Sequence, residues 1–271
     1  MSTSINTNIG SQIALQELNI TSSDLASVQK QISTGLKVSD AFDNGAVFAI
    51  AQGLRSDIAG ISTVNSQLGA AKGLLAVANA AGTGVQNTLS DIRSVLLQLS
   101  DQNVTGNART QLNAQYATLT KAVNNYISGA NYNGSNLLSA GSANKSVIQD
   151  ISANQYTIQA EDLNTNVTNL LTAVSDATGA ATLLTAGFVS AQNFVGTALN
   201  SISADSHFID NQITFNNALS DATTQGLGAL VDADLAKDSA RLQALQIKQQ
   251  LGTQSLSISN QSSQSLLSLF R

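Results

Sequence analysis

The sequence predicts a mainly α fold, a long coiled-coil-like helical bundle with paired terminal helices and one small β-hairpin. Proline is absent from all 271 residues, where about 5% is usual. Because proline breaks helix interiors, its absence permits very long helices. Leu, Ile and Val recur at 3/4 spacing along most of the chain, the signature of helices with one apolar face. Charged residues make up only 11% and aromatics 4%, with no Trp, against about 25% charged in ordinary domains. Burial must come from Ala, Leu, Val and Ile, and surface polarity from Ser, Thr, Asn and Gln. A monomer usually keeps apart from its neighbours by charge, so this composition suits a protein covered by other copies.

Leu18, Leu25 and Ile32 repeat every seven residues, with Ala14, Thr21 and Val28 in the second seam position. This a/d pattern predicts the first helix. GLKVSDAFDNG (35–45) reads as loop. A second helix from about residue 44 to 101 carries Ile50, Leu54, Ile58, Ile61 and Leu68, then Val85, Leu89, Ile92, Leu96 and Leu99. Unbroken, it would be roughly 85 Å long. DQNVTGN (101–107) is a turn, and Leu112, Tyr116, Leu119, Val123 and Tyr126 mark a third helix. SGANYNGSNLLSAG (128–141) is loop by its Gly and Asn content.

In SVIQDISANQYTIQAE (146–161) the period falls to two. Tyr156, Ile158 and Ala160 alternate with Thr157, Gln159 and Glu161, predicting a hairpin with ISAN as its connection. From about Ala181 a long return helix repeats Phe188, Val195, Ile202 and Ile209 by seven, with Leu184, Ala191 and Ala198 as partners and Leu219 near its end. QGLGAL (225–230) is expected to break it. The last helix has one stripe of Leu235, Leu242, Leu245 and Leu256 and an adjoining one of Ile247, Leu251 and Ile258. No charge occurs from Gln249 to Phe270.

The layout runs helix, long helix, helix, small β element, long helix, helix. It predicts discontinuous domains: residues 1–38 plus 235–271 as a terminal helical pair, and 39–234 as a bundle with the hairpin near 146–161. No large additional outer domain is expected. Two apolar stripes on one helix imply burial on more than one side, and a single chain has too few helices to supply it. Other copies must do so, and head-to-tail association that does not close makes helical filaments. The residues expected to serve this packing are Leu18, Leu25, Val28, Ile32, Leu242, Leu245, Leu251, Leu256, Ile258, Leu266, Leu269 and Phe270.

Composition also bears on other functions. Net charge is −5 and no basic block exists, which argues against nucleic acid and anionic membranes as partners. Zero Cys excludes disulfides, thiol catalysis and thiolate metal sites. The first twenty residues have neither the charge nor the apolar run of a secretory signal peptide, and no segment has the roughly 18 consecutive apolar residues of a membrane span. His207 is the sole histidine; Asp205 and Asp210 are near it, but their spacings do not both face it on a helix. Asp232, Asp234 and Asp238 lack a calcium-loop pattern and read as helix-start acids. Gly82 and Gly84 lack the Lys of a phosphate loop. The expectation is a structural protein, with no catalysis, metal or cofactor.

SINTNIGSQIAL (4–15), ISTGLKVSDAFDNGAVFAIAQGLRSDI (32–58), NYNGSNLL (131–138) and the stretch from Leu230 to Arg271 resemble the two ends of bacterial flagellins. The short alphaproteobacterial type is nearest. The resemblance implies an exported, extracellular subunit that polymerises into the hollow filament used for motility. The terminal pair would line the inner tube and the bundle form the outer one. The partners implied are further copies, the flagellar type III export apparatus, an export chaperone, the filament cap and hook-associated proteins. The Ser and Thr of 128–180 would be open to O-linked glycans only if this loop-rich part faces outward, as in many flagellins, and the sequence leaves that open. In TLSDIRSVLLQ (88–98), Arg93 fits the stretch read by the vertebrate flagellin receptor. Asp91 stands where a second Arg is expected and Ser94 where a Glu is expected, which implies weak activation. Alternative readings are a hook-associated or junction protein, which usually has a longer middle, and a secreted coiled-coil adhesin or effector.

Overall fold

The computed structural model describes the backbone of residues 7–268 and the side chains of residues 7–261. The helices are α1 (Ile9–Thr34), α2 (Ala41–Leu99), α3 (Gly106–Gly129), α4 (Leu163–Val167), α5 (Ala177–Thr182), α6 (Phe188–Val231) and α7 (Leu235–Ser268), with strands β1 (Lys145–Ile148) and β2 (Gln155–Ile158) between α3 and α4.

Polar side chains and glycines set the helix ends. Asn8 Oδ1 accepts from Ser11 N at 3.1 Å at the start of α1, and Gly35 closes that helix at φ 71°, a left-handed cap that favours glycine. The loop expected over 35–45 is real, but helical turns begin at Ala41 and are interrupted at Asn44 (φ −164°, ψ 100°). Asn44 Oδ1 then accepts from Val47 N at 3.1 Å, restarting the helix. From there α2 runs unbroken through its glycines to Leu99. Past its end, the Arg109 guanidinium donates to the Val104, Leu99 and Asp101 carbonyls at 2.9, 3.1 and 3.2 Å.

The chain divides into two compact units, residues 57–221 and residues 1–56 with 222–271. In the first, α2, α3 and α6 share one apolar core. Val85, Leu89, Ile92, Leu96 and Leu99 are at most 1% exposed, and Phe188, Val195, Ile202 and Ile209 at most 2%. α2 and α6 run antiparallel: Asn65 Nδ2 donates to Asn217 Oδ1 at 2.8 Å, and Lys72 Nζ to Asp210 Oδ1 at 2.6 Å. Small residues set their approach. A Cβ on Gly82 would meet Leu199 Cδ2 at 2.8 Å, and one on Gly73 would meet Tyr132 Cζ at 2.7 Å. Tyr132 reaches Gly73 from a tight turn in which Asn133 (φ 48°) and Gly134 (φ 75°) are both left-handed, the geometry an Asn-Gly pair favours.

The hairpin forms with Val147 opposite Tyr156. Its connection is longer than ISAN and spans 149–154. The Asp150 carboxylate accepts from Ser152 N and Asn154 N at 2.9 and 3.1 Å and holds Ala153 at φ 62°. Pairing stops at Ile158, because Ala160 N turns to Asn144 Oδ1 (2.9 Å) and Glu161 N to the Leu137 carbonyl (2.7 Å).

Two sequence expectations need correction. The return path turns helical at Ala177, about one turn before the expected start near Ala181. Short helices capped by Asp162 and Asp176 come before α6, and a π turn (Leu183–Gly187) leads from α5 into α6. QGLGAL does not break α6, which continues through Gly226 and Gly228 to Val231. A helical glycine costs about 1 kcal/mol, which a long packed helix tolerates. The break falls at 232–234, where Asp234 Oδ1 accepts from Ala236 N and Lys237 N, both at 3.1 Å, to start α7.

In the discontinuous unit, α1 packs on α7. A small core of Val38, Ala51 and Val231, with Leu36, Val47, Phe48 and Leu227 against it, ties in the neighbouring stretches. Lys37 N donates to the Val231 carbonyl at 2.7 Å and Ala233 N to the Gly35 carbonyl at 3.0 Å. This unit therefore takes in residues 39–56 and 222–234, which sequence alone assigns to the bundle.

Candidate functional site

α1 and α7 form an antiparallel pair whose polar contacts keep step along both helices. Asn8 Nδ2 donates to the Ser259 carbonyl at 3.0 Å, Ser11 Oγ to Asn260 Oδ1 at 3.0 Å, and Arg241 approaches Asp24 at 3.6 Å. Arg241 thus pairs across the helices. The helices come close at small residues, since a Cβ on Gly252 would sit 3.3 Å from Leu18 Cδ1 and one on Gly10 3.1 Å from Ser259 Oγ.

The predicted packing residues divide by face. Val28 and Leu245 are buried, and Leu18, Leu25, Ile32, Leu242 and Leu256 are half-buried. Leu251 and Ile258 are instead 61% and 59% exposed. Leu235, placed on the first stripe, is exposed too, because it opens α7 directly after the Asp234 cap. The side chain of Leu266, and Leu269 and Phe270 altogether, lie outside the described residues.

α1 has a second bare stripe that sequence reading passed over: Ile9, Ile13 and Ile20 are 58%, 62% and 50% exposed. The signal was available, for Ile13 and Ile20 also repeat by seven. The bare residues of α7, namely Ile247, Leu251 and Ile258, show the same four-then-seven spacing. Between the helices runs an open groove of about 530 Å³, lined by Ala14, Leu18, Leu251 and Gly252 among others.

Where α1 gives way to α2, Lys30 Nζ is held by Asp40 (2.6 Å) and Asp43 (2.9 Å). Asp43 also accepts from Ser39 N and Ser39 Oγ, each at 2.9 Å. Hydrogen bonds from Lys30, then from Ser39, hold the Asp43 carboxyl far below the usual range. The Lys30 hydrogen bond lowers Asp40 as well, and the two carboxylates raise Lys30.

The polar residues weighed for chemistry are otherwise engaged. Asp205 accepts from the Tyr156 hydroxyl at 2.6 Å and Asp210 from Lys72, so neither orients the exposed His207. Among the described residues no group of His, Asp and Glu could hold a metal ion, and no helix is long and apolar enough to cross a membrane. Asp91, Arg93 and Ser94 are all exposed on α2.

Residues 5–144 match the model of the bacterial flagellin N-terminal helical region, and residues 172–270 that of the bacterial flagellin C-terminal helical region. Flagellin FljO of Caulobacter vibrioides is 38% identical, over 99% of this chain and 98% of its own. Flagellin FljK of the same organism is 36% identical over the same shares. A Brucella melitensis flagellin is 35% identical over 99% of both chains. With both ends matched in order and relatives of nearly equal length aligned end to end, the chain belongs to the bacterial flagellin family.

Proposed function

We infer that the bare stripes of α1 (Ile9, Ile13, Ile20) and α7 (Ile247, Leu251, Ile258) are the surfaces through which this structural subunit of the extracellular flagellar filament meets further copies of itself. The observation that carries this is their exposure, between 50% and 62%, on helices whose other faces already pack together. Contiguous exposed aliphatic surface on both partners of a helix pair marks a protein interaction site. The uncharged stretch from Gln249 to Phe270 fits burial against other subunits, and its Gln and Ser keep it soluble beforehand. In this reading the α1–α7 pair builds the inner tube and the bundle within residues 57–221 the outer one. Export apparatus, chaperone, cap and hook-associated proteins handle the subunit, and the work is mechanical rather than catalytic.

Deleting residues 251–271 tests the reading. A helical, soluble monomer that no longer forms filaments is expected; filaments of the truncated chain under the electron microscope would contradict it. The exposed Asp91 and Ser94 beside Arg93 favour weak activation of the vertebrate flagellin receptor, since each replaces a charged contact. Strong activation of reporter cells at low concentration would refute that part alone.

A further inference from the structure

Phe42 is 99% exposed. In a chain with 4% aromatics, a large ring standing wholly in water is an unusual use of apolar surface. It is not on a loose segment. Phe42 N donates to Asp40 Oδ1 at 2.9 Å, and Asp40 and the following Asp43 are both tied to Lys30. The ring is therefore presented from a turn braced against α1. Beyond the interruption at Asn44, Ile50 of α2 is 55% exposed as well.

The groove between α1 and α7 complements this knob. Its small lining residues are Gly10, Ala14, Gly252 and Ser255, its apolar walls Leu18 and Leu251, and Glu17 and Lys248 also line it. Its volume, about 530 Å³, accepts a phenyl ring, which buries about 150–250 Å². The groove is continuous with the bare stripes, because Ile13 and Leu251 belong to both. One molecule cannot fill its own groove. Lys30, which anchors the knob, lies roughly 20 Å along α1 from the groove's middle near Gln16, at the helical rise per residue.

We propose that Phe42 of one subunit seats in the α1–α7 groove of another. This rests on the reading of the bare stripes as the assembly surface, and it names the contact made there. Knob and groove are different patches of one chain, so the contact is heterologous and propagates rather than closing into a dimer. The Lys30 clamp sets the ring beforehand, which reduces the ordering cost of association.

The test replaces Phe42 with p-benzoylphenylalanine, keeping an aromatic ring, in a small fraction of subunits co-assembled with the natural chain. Illumination of the filaments is expected to give a covalent dimer whose cross-linked peptide maps to residues 10–21 or 248–255. Filaments that form but cross-link elsewhere, or not at all, overturn the contact while leaving the stripe reading intact. Failure of the natural chain to polymerise sinks both. In parallel, Phe42→Asp is expected to raise the critical concentration by about tenfold or more, and Phe42→Leu by much less. Equal critical concentrations for Phe42→Asp and the natural chain also overturn the proposal.

Discussion

Tyr156 stacks on Phe208 with ring centroids 3.9 Å apart while its hydroxyl donates to the buried Asp205 at 2.6 Å. One side chain thereby fixes the hairpin to α6 by apolar and polar contact together. Tyr156→Phe keeps the stack and leaves a buried carboxylate without this donor. The expected loss is about 1.5–3 kcal/mol, seen as a lower urea midpoint with unchanged slope. Burial, then Asp205, pushes the Tyr156 hydroxyl up to about 12, and burial does the same to Tyr116. A folded-state value raised above the ordinary 10 contributes stability that is present below pH 10 and lost as pH climbs toward 12. Absorbance titration of the folded chain should therefore show these phenols ionising late. Glycines in α2 give a matched pair. Gly73→Ala puts a Cβ 2.7 Å from Tyr132, whereas Gly69→Ala meets nothing within 4 Å. The first should destabilise by about 1–3 kcal/mol and the second stabilise by up to about 1 kcal/mol, by thermal denaturation. Tyr132 belongs to NYNGSNLL, whose Asn-Gly turn was legible as loop. Its packing on Gly73 was not, because nothing local links residues so far apart.

The helices divide into faces already covered and faces left bare, and substitutions separate the two. Leu245→Ala, on the covered face, should cost about 2 kcal/mol or more in the isolated subunit. Ile258→Ala, on the bare face, should change the monomer by less than about 0.5 kcal/mol. The Lys30–Asp40–Asp43 turn makes a pH prediction. Both carboxylates are lowered and Lys30 is raised. The carboxylates' contribution is present above their ordinary 3.8 and is lost as pH falls well below it; that of Lys30 is lost as pH rises beyond 10.5. Amide protection at Ser39 and Phe42 should accordingly hold at pH 5 and vanish on strong acidification, by hydrogen exchange. Heptads made the long helices legible: Phe188, Val195, Ile202 and Ile209 all enter the core as spaced. The stretch 163–187 resisted because its helices are too short to show a period. Its path is set by caps at Asp162 and Asp176 and by the close approach of Gly187 to the Leu170 carbonyl, 2.7 Å from a would-be Cβ. QGLGAL misled because glycine punctuates a short helix but only weakens a long one.

At the scale of the whole chain, the proposed assembly surface would explain sparse charge and bare aliphatic stripes together. Composition and the uncharged stretch after Gln249 conveyed the need for partners, but not the place. The stripe on α7 was legible because two periodicities run along it. That on α1 was hidden behind the stronger a/d seam, and Phe42 was lost in an apparent loop, where an isolated aromatic has no period to betray it. Negative-stain electron microscopy of the concentrated natural chain beside a Leu251→Asp, Ile258→Asp variant shows whether the bare stripe of α7 is needed for assembly. Fibres of uniform width are expected from the natural chain and none from the variant, with equal helicity of the two monomers by circular dichroism. Normal filaments from the variant would contradict that need.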